Sequence, residues 1–255
     1  MGINNADNYL DLVALGNCAD MMSMTSIETK HIINKGFKDI KNPFFFNLSQ
    51  KNAYSMKNKI NHMSVAFYIA PYINAICRSG TIEEKKITFD SMLKYKAFQI
   101  LPSTKRGHHL GDTEQLVEQA MRVVTNVKAR QTKAQDTGLQ KLENMIKEQH
   151  LLDHKVLLFL LEPGEINKNI AGLVANKFMA KYQRPVCILT KVTEYQDDAN
   201  IPPWEKPQNN PIISYQGSAR GCDKVGITDF KSICAETGVT QYCTGHPGAF
   251  GLGIL

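Results

Sequence analysis

The fold class is indicated by one stretch of the sequence, KVLLFLL at residues 155–161. Its length and apolar composition are typical of a buried strand. A helical pattern follows from Asn169 to Tyr182, and a second apolar run extends from Arg184 to Leu189. Strand, helix and strand in this order predict a parallel βαβ unit covered on both faces. We therefore expect an α/β protein.

A longer helical pattern, from Asp112 to Gln149, precedes this unit. It is indicated by apolar residues at 3.6-residue spacing, namely Leu116, Ala120, Val123, Val124 and Val127, resumed at Leu139, Leu142 and Ile146. Asp112 is a fair N-cap, and Gly138 is expected to mark a kink or a break. A helix of this length spans roughly 55 Å, which is typical of a connector between domains.

Composition excludes several classes of protein. The chain has 255 residues, is 43% hydrophobic and 21% charged, and carries a net charge of +6. This is enough apolar residue for a core, so we do not expect a disordered chain. The longest purely apolar run, Val156 to Leu161, has six residues, against the ~20 that a membrane span needs. We expect no membrane association, and the mild positive charge permits an anionic partner.

Localisation is predicted from the N-terminus and the cysteines. No charged-then-apolar leader opens the chain, so we expect no secretory signal. The six cysteines show neither C-x-x-C nor zinc-finger spacing. We therefore expect reduced thiols in a cytoplasmic protein.

Three short segments carry candidate chemistry. GSAR at 217–220 follows a predicted strand, and a turn of small residues there would offer the Ser218 hydroxyl and the forked donor of Arg220 to a phosphate. GHPG at 245–248 is interpreted as a helix start that exposes amides to an anion, with His246 either donating to a phosphate or capping the helix. Asp20 follows a helix expected to end at Gly16, and is either a ligand of a hard metal ion or a turn residue.

Two adjacent histidines are a further candidate for binding a metal ion. His108 and His109 are adjacent on a polar loop, so their side chains diverge. We do not expect them to bind a metal ion, because a metal site needs converging ligands.

Five segments together resemble the RecJ branch of the DHH phosphoesterase superfamily. In chain order they are YLDLVALGNCADM at 9–21, IAPYINAICR at 69–78, NVKARQ at 126–131, GSAR at 217–220 and TGHPGAFG at 244–251. They are similar to that branch's LDLVALGTIADVVPL, IGPRINAAGR, NxxRQ, GSARS and GGHxxAAG. The resemblance covers nearly the whole chain in the right order.

The resemblance implies metal-dependent hydrolysis of single-stranded DNA from the 5′ end, in DNA repair or recombination. The family's two metal ions, Mn²⁺ or Mg²⁺, activate water and stabilise the developing charge on the phosphate. Asp20 matches the last metal-binding aspartate of the family and would be catalytic. The implied substrate-binding residues are Asn74, Arg78, Arg130, Ser218, Arg220, Gly245 and His246.

The resemblance also implies a division of the chain. Residues 1–111 correspond to the C-terminal part of a parallel α/β DHH catalytic domain, and residues 112–150 to a connecting helix. Residues 151–255 correspond to a smaller α/β DHH-associated domain that binds the substrate.

The sequence departs from the family where most metal ligands are expected. The family's D-x-D-G-D and D-H-H motifs precede the segment that matches Asp20, and neither occurs in this chain. One aspartate cannot hold two metal ions. We therefore expect a fragment of a longer exonuclease, or half of a split enzyme whose other chain carries the missing motifs, without nuclease activity by itself.

Two other interpretations stay open. The first is a non-catalytic accessory protein that only binds single-stranded nucleic acid, in a salt-sensitive manner. The second is a phosphodiesterase for short oligonucleotides or cyclic dinucleotides, although the long helix favours the RecJ arrangement.

Overall fold

The computed structural model describes residues 6–194 and 211–255. These residues fall into two compact units, with the boundary between Gln131 and Thr132. The boundary lies within the long helix α8, so that this helix contributes residues to both units. The three-part division at residues 111 and 150 stays a prediction.

The first unit consists of helices and one antiparallel β-hairpin. The helices are α1 (Leu10–Ala19), α2 (Ile27–Gly36), α3 (Pro43–Lys51), α4 (His62–Tyr68), α5 (Ala70–Ser79), α6 (Ile82–Met92), α7 (Lys94–Ala97) and the first part of α8 (Leu116–Glu148). The hairpin strands are β1 (Ile100–Pro102) and β2 (Thr113–Gln115). The core is formed by fully buried side chains such as Phe44 and Phe45 of α3, Val65 of α4 and Val124 of α8.

The second unit contains a five-stranded mixed sheet in the order β3-β4-β5-β7-β6. Its strands are β3 (Leu157–Leu161), β4 (Val186–Glu194), β5 (Ile212–Arg220), β6 (Thr240–His246) and β7 (Ala249–Ile254), and its helices are α9 (Lys168–Tyr182) and α10 (Phe230–Glu236). β3 and β4 are parallel, and α9 connects them. The predicted α/β class and the predicted βαβ unit are therefore confirmed.

The two faces of this sheet are covered by different helices. The α9 face contributes Phe159 and Ile188, which pack with Phe178 of α9. The α10 face contributes Leu189 and Phe250, which belong to a separate cluster with Phe230 of α10. This alternation follows from the period of two along each strand.

The first unit, predicted as the C-terminal part of a parallel α/β domain, is built mainly from helices. Within residues 6–131 the strands are β1 and β2 alone, and they are antiparallel. The buried residues of α1, α3, α4 and α5 recur at helical rather than alternating spacing. They therefore cover one another as helix faces, and a sheet is not needed to bury them.

Four local predictions are corrected. α1 continues through Gly16 to Ala19, because Gly16 does not adopt the positive φ of a glycine that ends a helix. The long helix begins at Leu116, after strand β2, and Asp112 instead accepts a hydrogen bond from the His109 amide. α8 runs unbroken past Gly138, which faces Ile166 and Val174. The GSAR segment lies inside β5 and is no turn.

Two further observations concern the chain as a whole. All six cysteines are free thiols, and Cys77 is exposed. Burial raises the pKa of the Cys18 thiol to about 11. None of the described helices combines the length and the hydropathy that crossing a lipid bilayer would require.

Candidate functional site

Asp20 and Asn74 are brought together in the first unit. Asp20 caps the C-terminus of α1, where its amide donates to the Gly16 carbonyl at 3.0 Å. The Nδ2 atom of Asn74, on α5, donates to the Ala19 carbonyl at 3.4 Å, one residue before Asp20. Arg78 lies one turn further along α5 and is exposed. Two predicted site residues that are far apart in sequence are therefore neighbours at the end of α1.

The position of Asp20 is unfavourable for a purely structural acidic residue. A helix C-terminus carries partial negative charge, which repels a carboxylate. Asp11, in the same helix, shows the contrast: it is buried and accepts from the amides of Lys41 and Asn42 at 2.8 and 2.7 Å. The carboxylate of Asp20 makes no such contact with the described residues. It is exposed and open to a cation.

The residues around Asp20 do not form a metal centre by themselves. Across residues 6–194 and 211–255, no group of three or more His, Cys, Asp and Glu side chains is placed to hold a metal ion. A two-metal hydrolytic centre needs several oxygen or nitrogen ligands for each ion. The described residues therefore do not fit the family's metal pair.

Arg130 is held by an ion pair. Its guanidinium binds both carboxylate oxygens of Glu84, at 2.7 and 3.2 Å, and donates to the Ser79 carbonyl at 3.2 Å. The hydrogen bond from Arg130 lowers the pKa of Glu84. The next residue, Gln131, donates to the Ser79 hydroxyl at 3.1 Å. These contacts fix α8 against the α5–α6 connection, while the predicted contact of Arg130 with substrate stays a prediction.

The second cluster lies on the α9 face of the sheet in the second unit. The register of β5, β7 and β6 aligns residues of this face in three rows, and the rows are Arg220–Ala249–His246, Ser218–Gly251–Thr244 and Gln216–Gly253–Tyr242. Ser218, Arg220 and His246, predicted from the motifs, therefore share one face.

The middle strand of these rows carries only small residues on this face, namely Ala249, Gly251 and Gly253, and this stretch is here called the β7 trough. A side chain at Gly251 would meet only backbone oxygens within 4 Å, at 3.5 and 3.9 Å. Thr244 and His246 are exposed along one side of the trough. Because Gly251 leaves the middle of the trough unfilled, a ligand can approach the sheet backbone there.

Arg220 is positioned against helix α9. Its guanidinium occupies the space in which a side chain at Gly172 would lie, and the Ser218 hydroxyl lies 3.6 Å from the same point. Nη1 donates to the Ala219 carbonyl at 2.6 Å. The guanidinium therefore lies along the side of the trough formed by β5 and α9.

His246 is presented by an anchored hairpin. The predicted helix start at residues 245–248 is wrong, because Gly245 and His246 end β6 and the next two residues turn into β7. Gly245 adopts φ +136°, and a Cβ there would lie 2.8 Å from the Ala249 carbonyl, so that only glycine fits. Lys231 of α10 holds the hairpin by donating to the Gly245 carbonyl at 3.1 Å.

Several residues of this face are not among those predicted from the sequence, namely Gly172, Gln216, Tyr242 and Thr244. Tyr242 and Thr244 alternate with His246 along β6, and Gln216 alternates with Ser218 along β5. This period of two could have indicated a shared face once the two strands were known. Gly172 carries no comparable signal.

Comparison with solved structures gives the class of fold. The chain superimposes on RecJ of Thermus thermophilus in complex with Mn²⁺ with a TM-score of 0.66 and 18% identity, over 98% of this chain and 30% of that one. The exonuclease RecJ bound to manganese gives a TM-score of 0.61, over 100% of this chain and 52% of that one. The fold is that of part of a RecJ protein.

Comparison with curated sequences extends this result. The chain is 34% identical over 251 residues to the SPbeta prophage-derived single-strand DNA-specific exonuclease YorK of Bacillus subtilis (strain 168), as that protein is provisionally named. Its counterpart in Bacillus phage SPbeta gives the same values. The match covers 98% of this chain but spans 40% of the length of these relatives. No family model matches the chain. The predicted resemblance to part of a RecJ protein is therefore confirmed.

Proposed function

We propose that the chain supplies the substrate-binding part of a RecJ-like 5′→3′ single-stranded DNA exonuclease, and that it is inactive by itself. The observation that carries the proposal is the β7 trough, which brings the motif residues Ser218, Arg220 and His246 to one open sheet face. Arg and His donors beside an exposed backbone are suited to the phosphates of a nucleic-acid strand.

Each predicted site residue has a place in this proposal. Arg220, Ser218 and His246 bind phosphates along the trough, and Gly245 allows the hairpin that presents His246. Asn74 holds the end of α1, where Asp20 is exposed, and Arg78 offers a charge near it. Arg130 acts on the substrate through the position of α8. In this division residues 151–255 correspond to the DHH-associated domain, and residues 1–111 to the end of the catalytic domain.

In this proposal the metal ions and their missing ligands come from outside the described residues of this chain. We propose that Asp20 joins further ligands of the D-x-D-G-D and D-H-H type, carried by a complementary polypeptide segment. The expected ions are Mn²⁺ or Mg²⁺, since the related RecJ structures contain one or the other. The reaction would take place in the cytoplasm, in DNA repair or recombination.

A nuclease assay with Mn²⁺ and 5′-labelled single-stranded DNA tests the proposal. The 255-residue chain is assayed alone and together with a polypeptide that carries the two missing motifs. We expect no digestion by the chain alone and digestion by the pair. Asp20→Ala should abolish the activity of the pair, whereas Asp39→Ala, at another exposed aspartate, should not.

Two results would contradict this function. Digestion by the chain alone that is lost in Asp20→Ala would show that the metal site is complete. Salt-sensitive binding of single-stranded DNA, with no digestion in any combination, would favour the second candidate function, a non-catalytic binding protein. That candidate is supported by the lack of a metal-ligand cluster among the described residues.

A further inference from the structure

Tyr242 projects from β6 onto the β7 trough. In the sheet register it lies opposite Gly253, and it shares a face with Thr244 and His246. A side chain at Gly253 would come within 2.5 Å of the ring atom Cε1, so the ring fills the space above this glycine. The Tyr242 hydroxyl lies 3.5 Å from Oε1 of Gln216, across β7. One side of the Tyr242 ring therefore packs on Gly253, and its hydroxyl contacts Gln216.

The exposure of Tyr242 is more than sheet packing requires. Covering the backbone can be the sole role of an aromatic ring that lies over a cross-strand glycine. However, Tyr242 keeps 40% of its surface exposed. Next to the ring lies Gly251 of β7, where an added side chain would have only backbone oxygens within 4 Å. The ring thus borders open space that can receive a flat group.

The two ends of the trough carry different chemical groups. Tyr242 is four residues from His246 along β6, which corresponds to roughly 13 Å at the rise of a β-strand. Arg220 and His246 lie at one end of the trough and Tyr242 at the other. A cationic end and an aromatic end on one groove are the combination by which proteins bind single strands.

We propose that Tyr242 is a nucleobase-stacking residue, whose ring receives a base of the single strand that Arg220 and His246 hold by its phosphates. This inference rests on the proposed function. Every base has a π face, so stacking on Tyr242 provides affinity without selecting a sequence. It makes the trough specific for strands that carry unpaired bases.

The experiment compares two oligonucleotides of equal length and charge, a fluorescein-labelled oligo(dT) and its abasic counterpart. Binding to the 255-residue chain is measured by anisotropy in EDTA, so that no hydrolysis occurs. The variants are Tyr242→Leu and Tyr242→Phe. Tyr54→Leu, at a tyrosine that is 95% exposed in the first unit, is the matched control.

We expect Tyr242→Leu to weaken oligo(dT) binding roughly 5- to 150-fold, the range measured for loss of one stacked base. Binding of the abasic strand should be unchanged. Tyr242→Phe and Tyr54→Leu should leave both affinities near those of the unchanged chain.

The other outcomes separate the two proposals. Equal weakening for both oligonucleotides would assign Tyr242 a structural role only and overturn the stacking proposal. Unchanged oligo(dT) binding in Tyr242→Leu would also overturn the stacking proposal. The proposed function would still stand in that case, because the unchanged chain binds the strand. Failure of the unchanged chain to bind oligo(dT) would overturn both proposals.

Discussion

The guanidinium of Arg220 lies where any side chain at Gly172 would have to lie. Arg220 of strand β5 therefore packs directly against the backbone of helix α9 at this point. Gly172 is inside α9, where alanine is favoured over glycine by roughly 0.5–1 kcal/mol. Helix stability alone would therefore select another residue. The close approach of Arg220 gives a physical reason for glycine at this position.

Replacement of Gly172 by alanine should therefore affect the stability of α9 and the binding of DNA in opposite directions. We expect Gly172→Ala to displace the Arg220 guanidinium and to weaken single-stranded DNA binding about as much as Arg220→Ala. Thermal unfolding and anisotropy measure the two effects. Gly138→Ala is the control, because its new methyl group would make an ordinary contact, 3.5 Å from Ile166. Unchanged affinity in Gly172→Ala would contradict a role of this glycine in placing Arg220.

The salt dependence of binding tests the contact of Arg220 with phosphate. We expect Arg220→Ala to weaken binding uniformly across oligonucleotide sequences and to reduce the slope of log K against log[salt] by about one. Arg220→Lys should restore only part of the affinity, since lysine lacks the forked donor. Lys191→Ala serves as the control, because Lys191 pairs with Glu162 at 3.4 Å. An unchanged slope in Arg220→Ala would argue against a phosphate contact.

Neutralisation of Asp20 should stabilise the fold. The carboxylate lies at the C-terminus of α1, and its removal relieves an unfavourable interaction with the helix dipole, worth about 0.3–1 kcal/mol. Urea unfolding of Asp20→Asn in EDTA measures this gain. The same variant should lack activity when the missing motifs are supplied. A clear loss of stability would instead identify Asp20 as a structural residue.

Acid should remove a stabilising contribution of Glu114. This carboxylate is buried on β2, accepts from the Thr104 amide at 2.8 Å and binds Arg122, whose hydrogen bonds lower its pKa from 4.5 to about 2. Because the folded pKa lies below the unfolded one, the contribution is complete above pH 4.5. It is lost as the pH falls from 4.5 through 2. The shift corresponds to about 3 kcal/mol.

Urea unfolding between about pH 2 and pH 7 checks this contribution. The unchanged chain should lose stability over the lower part of the range. Glu114→Gln should be less stable at neutral pH and should have a flatter profile. Glu118→Gln, at an exposed carboxylate four residues later in sequence, is the control. Parallel profiles for the unchanged chain and Glu114→Gln would contradict the assignment.

The elements that could be predicted are those with strong local patterns. The apolar run at 155–161 and the helical pattern at 169–182 gave β3 and α9 to within two residues, because the period of apolar residues follows from the geometry of each element. The hairpin at Gly245 could not be predicted in this way. Glycine and proline are common to turns and helix starts, and only the pairing of β6 with β7 distinguishes them.

The sequence by itself determined the α/β class, the order of the main elements and, through its motifs, the resemblance to RecJ. These depend on residues that are neighbours along the chain. Only the tertiary structure decided that Asn74 lies beside Asp20, that Arg220 rests against Gly172 and that Tyr242 and His246 border one trough. Those relationships depend on strand register and helix packing, in which a shift of one residue would turn every side chain to the opposite face.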